Sequence, residues 1–210
     1  MSRADGESSA WTPRTSLGKM VLEGEIASID EVFNQGHKIR EVEIVDALLP
    51  DLQQEVLDIG LIQKQTDAGE KSRFKALVVV GDFNGYFGIG AGKSKQVREG
   101  IQKGVLDAKL NIFPVRRGCG SWECNCEDPH TIPFKVSGKC GSVSVVLIPG
   151  PRGLGLVASD LAKTILNFAG IKDCWTKSYG STQTTPSFAY ALSNALKNTY
   201  QILTPIDWTR

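Results

Sequence analysis

The sequence predicts an α+β chain made of two small domains. Three observations lead there. Extended segments alternating with turn residues run from Glu55 to Ala91, and a long amphipathic helix follows them. A second set of short strands and two further helices then occupies the remainder. The chain has 210 residues, 41% of them hydrophobic, which is enough to bury a core.

Residues 1–16 are polar and expected to be loose. Ser28-Ile29-Asp30-Glu31 reads as a capping box, so a short helix starts there, with Ile29, Val32 and Phe33 on one face and Gly36 at its end. Ile44 to Leu49 is a second short apolar segment, stopped by Pro50. Val56 to Gln65, Arg73 to Val80 and Tyr86 to Ala91 are predicted strands. Thr66-Asp67-Ala68-Gly69 links the first pair. Gly81-Asp82-Phe83-Asn84-Gly85 links the second, with Asn-Gly expected to supply the positive φ angles. Ser94 to Leu110 is a helix whose face is Val97, Ile101, Val105 and Ala108. This order is that of double-stranded-RNA-binding modules. After Asn111, Ile112 to Arg116, Ile132 to Val136 and Val143 to Ile148 read as strands. Ser159 caps a helix with Leu161, Ile165 and Phe168 on its face and Gly170 at its end, and Ile171 to Lys177 is a further strand. Thr185-Pro186 opens the last helix, where Phe188, Leu192, Ala195 and Leu196 form the core stripe. The expected divisions are an extension over 1–27, a double-stranded-RNA-binding-like domain over 28–111 and a βαβ domain over 112–210.

Composition excludes several classes. The net charge of +1 rules out a uniformly basic nucleic-acid coat and a charge-rich disordered tail. No apolar run reaches the roughly 18 residues of a membrane span, and the first sixteen residues lack the apolar stretch of a signal peptide. Five Cys, an odd count, fit a reducing cytosol. A soluble cytoplasmic protein is expected. Near-neutrality conceals an asymmetry: residues 1–69 carry 6 basic and 13 acidic side chains, whereas residues 70–157 carry 13 basic and 7 acidic. The middle third is therefore a candidate electrostatic footprint.

Three constellations could carry chemistry. Gly88-Ile89-Gly90-Ala91-Gly92-Lys93-Ser94 ends like a P-loop, but Phe87 stands where the first Gly is needed and the preceding strand is expected to be antiparallel. Other readings are a tight turn where strand packs on helix, or a helix start with Lys93 and Lys95 facing phosphates. Pro149 to Ala158, PGPRGLGLVA, resembles the phosphate loop of the small-molecule kinases that include homoserine and mevalonate kinases. It keeps Pro149, Gly153, Leu154, Gly155 and Ala158, but Leu156 and Val157 replace the two serines, which implies shared architecture without catalysis. Cys119, Cys124, Cys126 and His130 lie within twelve residues and could close a tetrahedral structural Zn²⁺ site. Ordinary reduced cysteines are the alternative, and Cys140 competes as fourth ligand while Cys174 reads as core. No catalytic set is evident, with only His37 and His130 available as histidine bases.

Gly69 to Lys93, GEKSRFKALVVVGDFNGYFGIGAGK, resembles the signature of the small-subunit ribosomal protein five family, known as protein two in animals. Arg117 to Cys124, Trp11 to Thr15, Pro149 to Val157 and Ser178 to Thr182 extend the resemblance over nearly the whole chain, Trp11 to Ile202, and are archaeal in type. The resemblance implies a C-terminal domain of that family's second-domain type and a structural, non-enzymatic role in the small ribosomal subunit. It implies 16S-type rRNA near the central pseudoknot, mRNA at its entrance channel, and small-subunit proteins three, four and eight as partners, with decoding accuracy supported together with protein four. In the family the loop matching Gly69 to Arg73 reaches rRNA. Lys71, Arg73, Lys93, Lys95, Arg116, Arg117, Lys139 and Arg152 are then the expected phosphate contacts. Gly88, Gly90, Gly92, Gly153 and Gly155 are expected to let backbone approach RNA, which is read by shape. A nucleotide-dependent kinase-like protein and a non-ribosomal RNA-binding regulator are the alternatives.

Overall fold

The computed structural model describes residues 11–126 and 128–201. The expected looseness of residues 1–10, and Ile202 at the end of the resemblance, lie outside the described residues. The chain divides by compactness into a unit ending at Pro50 and a unit beginning at Asp51.

The first unit carries three short helices, α1 (Ser16–Glu23), α2 (Ile29–Asn34) and α3 (Val42–Leu48). Residues 11–16 are fastened here, contrary to the expectation from their polarity. Glu41 accepts hydrogen bonds from the Trp11 indole at 3.1 Å and from the Arg14 and Thr15 backbone N–H groups at 2.9 and 2.7 Å. Burial works against its charge, yet these hydrogen bonds hold the Glu41 carboxyl below its ordinary pKa. The capping box does not close: Ser28 stands at the N-cap without a side-chain bond, and Glu31 reaches one residue further back, accepting from Ala27 N–H at 3.2 Å.

In the second unit, β1 (Gln53–Thr66), β2 (Gly69–Gly81), β3 (Tyr86–Ser94) and β4 (Phe113–Pro114) form an antiparallel sheet in sequential order, covered by α4 (Val97–Leu110). The turn between β2 and β3 is built differently from the Asn-Gly expectation. Asp82 Oδ1 accepts from Asn84 and Tyr86 N–H at 2.8 and 2.9 Å, and the left-handed residues are Phe83 (φ 57°) and Gly85 (φ 115°). Phe83 offsets that strained backbone by packing on Phe168, ring centroids 4.7 Å apart.

A second sheet runs β5 (Val136–Cys140), β6 (Val143–Pro149), β8 (Cys174–Tyr179), β7 (Leu156–Val157) across its width. Only β7 and β8 are parallel, and α5 (Asp160–Phe168) crosses between them, giving the expected βαβ unit. The last helix, α6 (Thr185–Lys197), starts with proline as predicted and buries Phe188, Leu192, Ala195 and Leu196. The strand expected over Ile132 to Val136 instead begins at Val136. Gly138 disguises it: a Cβ there would lie 2.2 Å from the Ala191 carbonyl oxygen of α6, so the strand meets the helix backbone to backbone. Leu77, Val79, Phe87 and Ile89 of the first sheet share one apolar core with Val145, Leu147, Ile165 and Leu192 of the second. That common core is why Asp51 onward is a single compact unit.

Candidate nucleic-acid interface and metal centre

Gly88, Gly90 and Gly92 do not form a loop. They lie within β3 and are buried beneath α4. A Cβ on them would stand 2.3 Å from Ala108 O, 2.2 Å from Ala108 N and 2.0 Å from Gly100 O. Their task is to admit the helix backbone, so the close approach expected towards RNA is made to α4, and the P-loop reading fails with the loop. Helix α4 answers with its smallest residues, burying Gly100, Gly104 and Ala108, while Val97, Ile101 and Val105 are only half-buried.

What the strand does present is charge. Side chains alternate along a strand, so Lys71, Arg73 and Lys75 share one face of β2, and Lys93 is the register partner of Lys75 on β3. At the ends of these strands Arg73, Lys93, Lys95 and Lys103 line a cleft of about 360 Å³ with Glu99 as its single carboxylate. Ser94 holds Glu99 with a 2.5 Å hydrogen bond. The structure thus unites three expected contacts, Arg73, Lys93 and Lys95. Lys103 and Lys75 escaped the sequence reading. The i, i+4 spacing of Glu99 and Lys103 on an exposed helix face was the available signal for Lys103.

Arg117, Arg152 and Gly153 meet elsewhere, in a cleft of about 590 Å³ also lined by Asp128, His130, Lys172 and Asp173. Arg117 is engaged in structure: its guanidinium donates to the Asn84 carbonyl and side-chain oxygens at 2.6 and 2.7 Å, bracing the β2–β3 turn. Arg152 is exposed and pairs with Asp128 at 3.0 Å, a contact weak enough in water to be exchanged for a phosphate. Gly153 and Gly155 adopt φ of 85° and 76° in the loop before β7. Lys71, Arg116 and Lys139 line neither cleft.

Beside the second cleft the cysteines converge. Gly118 and Thr131 exchange backbone hydrogen bonds of 2.8 and 3.0 Å, pinching the intervening segment into a closed loop. The ligand atoms of Cys119, Cys124, Cys126 and His130 all lie within 4.8 Å of one another. Cys140 stands outside this group, and Cys174 is buried in the core, its thiol pushed up to about 12 by burial. Cys124 Sγ is 2.9 Å from Cys126 Sγ and 3.8 Å from His130 Nε2. The Cys126 thiol and then the Arg152 backbone N–H stabilise Cys124 as thiolate, lowering its pKa to about 6; donating that shared proton raises Cys126 to about 12. His130 is 6% exposed, and its Nδ1 lies 2.8 Å from Asp173 Oδ2, which leaves Nε2 turned towards the thiols. Three thiols and an imidazole are the soft donor set that suits zinc and disfavours magnesium or calcium.

Fold and surfaces together define a two-sheet α+β scaffold that gathers cations at strand ends and carries a Cys/His cluster able to hold a metal. Family models agree on what kind of scaffold it is: "Ribosomal protein S5, N-terminal domain" matches residues 52–116 and "Ribosomal protein S5, C-terminal domain" matches residues 138–207. The small ribosomal subunit protein uS5 of Thermofilum pendens is 59% identical over 201 residues, covering 96% of this chain and 100% of its own. The protein of the same name from Staphylothermus marinus is 56% identical over 211 residues, covering 100% and 99%. That of Pyrobaculum calidifontis is 59% identical over 192 residues, covering 91% and 95%. The chain belongs to the ribosomal protein S5 family, a family of structural proteins and not of enzymes.

Proposed function

We propose that this chain is a structural constituent of the small ribosomal subunit in the cytoplasm, where it binds 16S-type rRNA. The cleft formed by Arg73, Lys93, Lys95 and Lys103 carries this reading. Four cations against one carboxylate at the end of a rigid sheet offer charge-assisted hydrogen bonds to phosphate oxygens without reading base edges. Arg152 and Gly153 supply a second contact beside the metal cluster, and Lys71, Arg116 and Lys139 extend the contact to other parts of the surface. Placement near the central pseudoknot and mRNA entrance channel, with proteins three, four and eight as neighbours and support of decoding accuracy with protein four, follows from the family resemblance. The functional division runs at 111/112, just after α4 ends at Leu110, with β4 beyond it still paired to the first sheet and residues 1–27 as an extension. Filter binding of the purified chain to small-subunit rRNA across a salt series tests the RNA reading. The four phosphate contacts of the cleft alone predict that log K falls with log salt at a slope of about −3, and the further contacts steepen it. A flat dependence contradicts it.

We infer that the Cys119/Cys124/Cys126/His130 cluster holds a structural Zn²⁺. The donor chemistry and the orientation of His130 Nε2 support this. Elemental analysis of the full chain is expected to find one zinc per chain, removed by a strong chelator. Zinc-free protein with a freely reactive thiol at each of the three cysteines contradicts it.

A further inference from the structure

We propose that Asp173 is a positioning residue that clasps the glycine loop over Pro151 to Gly155 onto the metal centre, so that loading the metal fixes the loop presenting Arg152; this rests on the zinc reading above. Asp173 is 5% exposed and uses both carboxylate oxygens in different directions. Oδ2 meets His130 Nδ1 at 2.8 Å, and Oδ1 accepts the Gly155 backbone N–H at 2.8 Å. The loop is thus tied to the cluster through Asp173, the partner of a ligand. The main chain closes the arrangement: the His130 carbonyl accepts from Lys172 and Asp173 N–H at 2.9 and 3.2 Å, and Cys174 N–H donates to Gly155 O at 3.2 Å.

A metal on Nε2 requires the proton of a neutral imidazole to sit on Nδ1, where only an acceptor satisfies it. The carboxylate supplies that acceptor, fixes the ring and raises its basicity. Conversely, a metal that holds His130 in place holds Asp173, the anchor point of the loop. The left-handed Gly153 and Gly155 are otherwise free to hinge. The loop geometry, and with it the placement of the exposed Arg152 guanidinium, is therefore metal-dependent.

The test titrates purified full chain with Co²⁺ against a chromophoric chelator, followed by the thiolate-to-cobalt absorption. Asp173→Asn keeps the volume and an acceptor for Gly155 N–H, but its amide can offer Nδ1 a donor. It is expected to weaken Co²⁺ binding about 10- to 100-fold. Hydrogen exchange adds a readout that needs no variant: in the unaltered chain, Co²⁺ should slow the amide of Gly155 and leave Gly141, in the β5–β6 turn, unchanged. If the unaltered chain binds no Co²⁺, the metal reading falls and takes the clasp with it. If it binds Co²⁺ with no slowing at Gly155, or Asp173→Asn binds as tightly, the clasp alone is overturned. Should Asp173→Asn fail to fold, the exchange result in the unaltered chain decides.

Discussion

Gly92→Val is expected to cost at least about 3 kcal/mol of stability, the upper end for over-packing. A Cβ at position 92 stands 2.0 Å from Gly100 O, 2.4 Å from Gly104 N and 2.9 Å from Lys103 C, all backbone atoms that no rotamer change can move. The helix must lift as a body from β3, opening the contacts of Gly104 with Val78 and of Ala108 with Gly88 and Gly90. Gly60→Ala in β1 is the control, because nothing lies within 4 Å of its Cβ, and it should change stability by less than about 0.5 kcal/mol. Urea unfolding of the two variants reads the difference directly, and equal midpoints would contradict the packing account.

Arg73→Glu and Lys93→Glu are each expected to lower the yield of small subunits or their decoding accuracy, and the double variant to do so most. Each reversal removes a cation from one cleft and adds a carboxylate beside Glu99. The stability of the isolated chain should barely change, since both side chains are exposed and surface charges contribute little. That separation distinguishes a lost RNA contact from a lost fold. Normal subunit yield and accuracy in both single variants would count against the cleft as the RNA contact.

Much of this arrangement is legible in the sequence because it is periodic. The three long strands and the proline-led α6 follow from alternation and capping chemistry, and the core stripe of α6 holds in the structure. What periodicity misses is close backbone packing, since glycine has no side chain to mark a face. That is why β3 looks like a loop at Gly88 to Ser94, why α4 is expected to bury valines, and why β5, which runs through Gly138, is expected to end at Val136. The cysteine group is readable from spacing, since a short segment closed by the Gly118–Thr131 bridge must bring its members together. Asp173 is not readable, because 43 positions separate it from His130 and only the chain's entry into β8 brings it there. The net charge of +1 likewise hides the basic surface of the first sheet: strand register sets Lys93 opposite Lys75, and no composition reports that pairing.

The central claim is that this protein is held in the small subunit by its basic surface. Sucrose-gradient sedimentation of cell extract in high salt tests it most directly. The chain should travel with the small subunit, because charge pairs buried inside an assembly are screened far less than the exposed pairs of a peripherally bound protein, while the Arg73→Glu, Lys93→Glu double variant shifts towards the top of the gradient. Recovery of the unaltered chain as free protein, with small subunits intact and lacking it, would contradict the account.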